Sequence, residues 1–225
     1  MDGQSPNTIR FARFKPPTVS VGYFQSVNEH IDVDMCKRLD IGIARRLIGG
    51  GAAYEDYRGE LTYGVCVKLP HPRIPVDFVP SYRALSEGVI IGLQRFGLPA
   101  SFAGVNDVVV NGKKIGGVGQ CRFRDALLQE GSILFDDMPD MFKVLKISES
   151  KLRDKGFSRH EDRMTNIKRE LGERIDPTIL MRHLTKGFEE ALRIKLESRE
   201  LTDREKKMIG SLSEKYHSQE WIYRK

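Results

Sequence analysis

The sequence predicts an α+β fold that combines a mixed sheet with a helical C-terminal part. Short runs of β-branched and aromatic residues, separated by proline and glycine turns, dominate residues 1–135. Apolar residues at helical spacing dominate residues 136–225. Strands that come first and helices that follow are typical of α+β folds rather than of an alternating parallel sheet. We therefore expect a single domain over residues 1–225, with residues 1–135 mainly a sheet core.

The predicted strands are short and separated by turn residues. Residues 8–14 and 19–23 are predicted to be two strands of one sheet, because Pro16 and Pro17 between them exclude one continuous strand. Further strands are predicted at residues 42–46, 61–68 and 132–135.

The helices are predicted from apolar spacing and from capping residues. Residues 81–96 have the spacing of an amphipathic helix, which Gly97 ends. Asp176 and Pro177 start a second long helix that runs to about residue 194, since Asp caps a helix well and Pro suits its first position. The other predicted helices are residues 32–39 with Asp32 as N-cap, 138–145, 149–155, 163–171, and 202–216 with Thr202 and Glu205 at capping-box spacing.

Composition excludes several classes of protein. The net charge of +6 favours an acidic partner, but basic and aromatic residues are not interleaved as in nucleic-acid-binding segments. Three cysteines without metal-ligand spacing argue against a disulfide framework and a zinc site. No apolar run has the length of a membrane span, and the first residues do not resemble a signal peptide. We expect a cytoplasmic protein that binds neither nucleic acid nor membrane.

The first functional signal is a glycine run that follows two arginines. Arg45 and Arg46 precede three consecutive glycines at residues 49–51. Glycine lets backbone N–H groups approach an anion closely, and arginine supplies the charge that attracts the anion. This combination predicts a phosphate-binding turn.

The second signal is a lysine placed just after a tight turn. Asn111 and Gly112 lie between apolar β-forming runs, which is a strong signal for a two-residue hairpin. The hairpin would hold Lys114 near the start of a strand, where its ammonium group can meet a phosphoryl oxygen and an acyl oxygen together.

These motifs, in their order and spacing, resemble those of the lipoate-protein ligase A family within the biotin/lipoate ligase superfamily. The resemblance covers nearly the whole chain and is to short members that lack a C-terminal accessory domain. It implies a mixed sheet flanked by helices. The segments that carry it are residues 45–54, 59–63, 106–107 and 112–120.

The resemblance implies an ATP-dependent ligase. Such enzymes use ATP and Mg²⁺ to convert lipoate to lipoyl-AMP, and then transfer the acyl group to a lysine of a lipoyl domain. The implied acceptors are the lipoyl domain of a 2-oxoacid dehydrogenase E2 and the glycine-cleavage H protein. Lys114 matches the catalytic lysine that touches both phosphate and acyl carbonyl. Cations at the phosphate would stabilise the charge that develops in the transition state.

The resemblance also assigns binding residues. Asp107 would hold Mg²⁺ or fix the lysine. Gly116 and Gly117 would leave room for the lipoyl chain against the sheet, although close approach between strands explains these glycines nearly as well. The residues implied to contact ATP or lipoyl-AMP are Arg46, Gly50, Gly51, Ala52, Ala53, Tyr54, Asn106, Asp107 and Lys114.

The chain departs from the family pattern in three respects. Glu55 and Glu130 stand where members usually carry histidine, and two carboxylates would repel a phosphate unless a metal or an arginine intervenes. Relative to the family, the first strand and most of the first helix are expected to be missing. A separate accessory subunit is expected to replace the absent C-terminal domain in some short members.

Two other functions stay open from the sequence. One is an octanoyl- or lipoyltransferase that forms a cysteine thioester and needs no ATP. Its nucleophile would lie shortly before Asn106, where residues 98–103 contain no cysteine; Cys121 is a substitute candidate, though a buried strand thiol explains it better. The other is a non-catalytic subunit, which Glu55 and Glu130 favour and the retained Lys114 and Arg46 disfavour.

Overall fold

The computed structural model describes residues 5–146 and 160–224. Its strands in chain order are β1 (Thr8–Ala12), β2 (Thr18–Val21), β3 (Gly42–Arg45), β4 (Ala53–Glu55), β5 (Glu60–Lys68), β6 (Ala100–Ala103), β7 (Asp107–Val110), β8 (Lys113–Phe123) and β9 (Ala126–Leu134). They form an antiparallel six-stranded sheet in the order β1-β5-β9-β8-β7-β6. A separate three-stranded sheet has the order β3-β2-β4, with β2 and β3 parallel.

The helices begin at the capping residues that the sequence predicts. Asp32 accepts a hydrogen bond from the backbone of Met35, and Thr202 and Glu205 form the complete capping box. The helices of the described residues are α1 (Val27–His30), α2 (Val33–Arg38), α3 (Phe78–Gln94), α4 (Met141–Val144), α5 (His160–Arg163), α6 (Ile167–Leu171), α7 (Pro177–Leu192), α8 (Asp203–His217) and α9 (Gln219–Ile222). None of them is long and apolar enough to cross a membrane.

The larger core lies between one face of the six-stranded sheet and helices α3 and α7. Leu61, Tyr63 and Val65 alternate along β5 and are fully buried on this face. The two helices approach very closely, because a Cβ atom built at Gly187 would lie 2.1 Å from the carbonyl oxygen of Gly88. Helix packing on this face therefore depends on glycine.

The smaller core joins the three-stranded sheet to α1, α2, α4 and the C-terminal residues. Arg45 holds this region together, and its side chain is 4% exposed. Its guanidinium donates hydrogen bonds to the backbone carbonyl oxygens of Gly22, Tyr23, Gln25, Trp221, Ile222 and Arg224. Arg45 is thus a structural residue, although both arginines of the pair line the cavity described below.

The structure corrects one strand prediction and adjusts several bounds. The first two strands do not share a sheet: β1 pairs with β5, and β2 pairs with β3 and β4. The prolines between them turn the chain from one sheet to the other. The helix predicted at residues 149–155 lies outside the described residues.

Candidate active site

A cavity of about 960 Å³ lies between the two sheets. Its floor is the face of the six-stranded sheet opposite the larger core, and its walls come from the three-stranded sheet, the turn after β3, and residues in and beside α4 and α5. Nearly all the site residues predicted from the sequence line this cavity. Those that line it are Arg46, Gly50, Gly51, Ala52, Ala53, Tyr54, Asn106, Lys114, Gly116 and Gly117.

A β-bulge directs Lys114 into this cavity. Asn111 and Gly112 form the predicted hairpin turn, both with positive φ, of 50° and 76°. The pairing of β7 with β8 then skips Ile115, which is fully buried. The extra residue puts Lys114 on the same face as Gly117, and a Cβ atom at Gly117 would lie 2.7 Å from the Lys114 Nζ. Without the bulge, two residues three apart would face opposite sides of the sheet.

Asp107 holds the Lys114 side chain in place through an ion pair. Its Oδ1 lies 2.6 Å from the Nζ of Lys114, and its Oδ2 lies 2.7 Å from the Nη2 of Arg163. Of the two roles considered for Asp107, the contact with the lysine is the one present. The described residues contain no group of three or more His, Cys, Asp or Glu side chains that could hold a metal ion, and the binding of Mg²⁺ by Asp107 stays a prediction.

The glycine turn after β3 presents unused backbone donors. Gly50 has a φ of 102°, in the region that favours glycine. Among the described residues, none accepts a hydrogen bond from the backbone N–H groups of Gly49, Gly50 or Gly51. The Arg46 side chain supports the turn by donating to the carbonyl oxygen of Gly51 at 2.7 Å. Such a turn can bind an anionic group through its amides.

Small residues on β8 keep the floor of the cavity low. Gly117 and Gly119 lie on the cavity face, and a side chain at Gly119 would meet Ile48 and the carbonyl oxygen of Gly49, at 2.8 and 3.1 Å. The backbone of Gly116 lines the cavity, but a side chain there would point into the sheet, because its Cβ would lie 2.3 Å from the carbonyl oxygen of Ser132. The strip that leaves room for an acyl chain is therefore Gly117 and Gly119, and Gly116 is required by close strand packing.

The remaining predicted contacts have internal partners. Asn106 donates from its side chain to the carbonyl oxygen of Val118 at 2.8 Å, which ties the start of β7 to β8. Tyr54 is almost completely buried, and its hydroxyl donates to Asp56 at 3.1 Å. Both residues shape the cavity wall through packing and hydrogen bonding.

A cluster of charged side chains lies in the cavity beside the glycine strip. Arg46 donates to the backbone oxygen and the hydroxyl of Ser20, at 2.8 and 2.6 Å, and the Ser20 hydroxyl donates to Glu55 Oε1 at 2.9 Å. Glu130 faces them from β9, directly opposite Gly119 in the register. Arg46 thus provides the intervening arginine that two carboxylates at this site require.

Burial governs the charge of both carboxyl groups. Desolvation raises the pKa of Glu55 to about 7, against the opposing effect of Arg46. Burial also raises the pKa of Glu130, again opposed by Arg46 and by Arg10. The cluster therefore holds protons at a pH at which exposed carboxylates have lost them.

The three cysteines lie away from Lys114. Cys36 is fully buried in the smaller core, and burial raises the pKa of its thiol to about 11. Cys66 and Cys121 lie on the cavity side of the large sheet, on either side of Leu128 in the register. Burial raises the pKa of both thiols, and Glu130 raises that of Cys121 further. These are not the surroundings of an activated thiolate.

Sequence comparison identifies related proteins over nearly the whole chain. A family model described as "Lipoyl protein ligase A/B catalytic domain" matches residues 1–189. Octanoyltransferase LipM from Clostridioides difficile is 33% identical, with 97% of this chain and 88% of that protein covered. Octanoyltransferase LipM from Kyrpidia tusciae is 34% identical, with 99% of this chain and 89% of that protein covered.

Solved structures confirm the predicted fold. A bipartite lipoate-protein ligase studied with its E2 lipoyl domain from Thermoplasma acidophilum superimposes with a TM-score of 0.85, at 29% identity, and covers 98% of this chain and 85% of that one. A lipoate-protein ligase A bound with ATP gives a TM-score of 0.83 at 26% identity, covering 98% and 87% of the two chains.

The comparisons correct the activity predicted from the sequence. The predicted family and the α+β fold are confirmed. The prediction of an ATP-dependent lipoate ligase is wrong, because the curated relatives are octanoyltransferases. The motifs around Arg46 and Lys114 occur in a family that contains both activities, and therefore do not distinguish them.

Proposed function

Since the chain belongs to the lipoyl protein ligase A/B catalytic domain family, we propose that it is an octanoyltransferase that acylates a lysine of a lipoyl domain without ATP. The observation that carries the proposal is the similarity to curated octanoyltransferases over 97% and 99% of the chain. The similarity to a ligase studied with an E2 lipoyl domain supports the choice of acceptor. The H protein of glycine cleavage is the second acceptor to be tested.

Lys114 is the residue we propose at the reacting carbonyl. Amide formation from a thioester passes through a tetrahedral state in which negative charge develops on the carbonyl oxygen. The ammonium group of Lys114 is held by Asp107 on a rigid strand, so little reorganisation is needed when that charge appears. The acyl chain would lie on the strip formed by Gly117 and Gly119, between β8 and the turn that carries Ile48.

The glycine turn is proposed to hold the anionic part of the donor. An octanoyl thioester on a phosphopantetheine-type carrier bears a phosphate beyond its acyl group. The backbone N–H groups of Gly49 to Gly51, with no partner among the described residues, suit that phosphate. The glycine residues that the sequence predicts to contact a nucleotide would thus bind the phosphate of the acyl carrier instead.

We propose that the acyl group passes directly from donor to acceptor. The cysteine thioester of the transferase hypothesis would need an activated thiol next to Lys114. Cys121 is the nearest cysteine along β8, but seven strand residues correspond to about 20 Å, and its thiol pKa is raised by burial and by Glu130. The amine of the acceptor lysine is then the only nucleophile required.

The test is transfer in the absence of ATP. The purified chain is incubated with octanoyl-coenzyme A and an isolated lipoyl domain, and the acceptor is analysed by mass spectrometry. We expect one octanoyl group on one lysine, and none when that lysine is replaced by arginine. A parallel reaction supplies free octanoate with ATP and Mg²⁺. Acylation only in this second reaction would contradict the proposal.

A further inference from the structure

The Glu55 carboxylate has an oxygen that nothing in the described residues uses. Oε1 accepts a hydrogen bond from Ser20, but Oε2 is buried and has no hydrogen-bond partner. Glu55 is 7% exposed, and it lines the cavity that contains Lys114. A buried carboxylate oxygen without a partner costs free energy, and here it belongs to a residue that lines the space into which we place the substrate.

The groups around Glu55 set its readiness to take a proton. Arg46 and Ser20 stabilise its charged form, whereas burial and Glu130 oppose it. Glu130 itself faces Arg46 and Arg10. Arg46 acts on both buried carboxylates and Arg10 acts on Glu130, so the cluster carries its negative charges against the cost of burial. It therefore holds a proton easily and releases it easily near neutral pH.

The Glu130 side of the cluster lies at a suitable separation from Lys114. The Lys114 Nζ lies beside Gly117, which pairs with Ser132 on β9. Glu130 is two residues farther along β9, a distance of about 7 Å. An attacking amine lies between the carbonyl group that it attacks and the base that takes its proton, so a separation of this order leaves room for the reacting atoms.

We propose that Glu55, paired with Glu130 through Arg46, accepts the proton that the acceptor lysine loses before it attacks the octanoyl carbonyl. This inference rests on the proposed function. The lysine ammonium gives one proton to the Glu55 carboxylate and becomes an amine. The amine forms the new C–N bond as the C–S bond of the thioester breaks. The second proton goes from nitrogen to the leaving sulfur, giving an amide and a thiol, and Glu55 returns its proton to water.

The same molecule contains another buried carboxylate, Glu60, with which Glu55 can be compared. Glu60 is fully buried, accepts a hydrogen bond from Thr62 at 2.8 Å, and also has an oxygen without a partner. It does not line the cavity. Glu60 therefore provides a matched control for burial without access to substrate.

The experiment compares two nucleophiles across variants of the full chain. Octanoyl transfer is measured to the lipoyl-domain lysine and to hydroxylamine, which is already neutral at neutral pH and needs no base. We expect Glu55→Gln to lower kcat/KM about 100-fold for the lysine and less than about threefold for hydroxylamine. The rise in lysine transfer with pH near 7 should disappear, while Glu60→Gln should keep it.

Three outcomes would overturn the inference. They are equal losses with both nucleophiles, an unchanged pH profile, or full lysine transfer in Glu55→Gln. If that variant does not fold, Glu130→Gln gives the second test: removal of the neighbouring carboxylate should move the pH rise to lower pH, and an unmoved rise would reject the role. If the wild-type chain transfers octanoate to neither nucleophile, the proposed function itself fails; if it transfers to both while Glu55→Gln matches it, only this inference fails.

Discussion

The two faces of the six-stranded sheet are built for different tasks. The face under α3 and α7 carries alternating large apolar side chains, such as Leu61 and Tyr63, which are fully buried. The opposite face carries glycines, Glu130 and the re-aimed Lys114 around an open cavity. The comparison teaches that one set of strands can supply stability on one side and reactivity on the other, because side chains alternate along each strand.

The largest expected effect is on the cavity face. Replacement of Lys114 by alanine should lower kcat/KM for octanoyl transfer about 100- to 1000-fold, because the charge that stabilises the developing oxyanion is lost. Asp107 keeps its contact with Arg163 at 2.7 Å, so urea unfolding should change little. Activity near that of the wild type would remove Lys114 from the reaction.

The next effect is a pH dependence of the unfolding free energy, which is expected from Glu55 on the cavity side. Burial raises the pKa of Glu55 from 4.5 to about 7, so the folded state binds more protons than the unfolded state between these values. This contribution makes the protein less stable as pH rises through that range, by about 3 kcal/mol in all. Glu55→Gln removes it, so the variant should gain stability relative to the wild type from pH 4.5 to 7. Parallel unfolding curves for the two proteins at every pH would contradict the shift.

A smaller effect is expected on the helix-covered face. Gly187→Ala places a methyl group 2.1 Å from the backbone of Gly88 and should cost about 2 kcal/mol of unfolding free energy. Gly210 lies in the exposed helix α8 with no atom within 4 Å of a built Cβ. Gly210→Ala should therefore stabilise the chain by about 0.5 to 1 kcal/mol. If both variants behave alike in urea, the glycine contact does not constrain the helices.

The smallest effect on octanoyl transfer is expected for Cys121 on the cavity side of the sheet. Cys121→Ser should leave octanoyl transfer within about twofold of the wild type, because the proposed route has no enzyme-bound thioester. The measurement is the same mass-spectrometric assay, with a search for an acylated enzyme. Loss of transfer in this variant, together with an octanoyl group on Cys121 of the wild type, would require the cysteine route.

Local sequence signals predicted the parts of the site that depend on neighbouring residues. Asn111 and Gly112 specify their turn because both must adopt positive φ. Asp32 and Thr202 specify helix starts through hydrogen bonds within three residues. The glycine run and Lys114, which the sequence predicts to share one site, line the same cavity.

Features that depend on distant partners could not be predicted in this way. Arg45 and Arg46 look equivalent in sequence and both line the cavity. Arg45 nevertheless bonds to carbonyls about 176 residues away, whereas Arg46 bonds to Ser20 and Gly51. The assignment of β1 and β2 to different sheets likewise depends on long-range pairing. The activity was predicted wrongly because ligases and transferases share the phosphate-type turn and the lysine.

A structure of the chain with a stable octanoyl thioether analogue of coenzyme A, in which the reacting carbonyl is kept, tests the central claim most directly. The account predicts the carbonyl oxygen within hydrogen-bond distance of the Lys114 Nζ and the acyl chain over Gly117 and Gly119. An acyl chain bound against Met141 and Leu145 on the far wall, with the carbonyl group out of reach of Lys114, would contradict it.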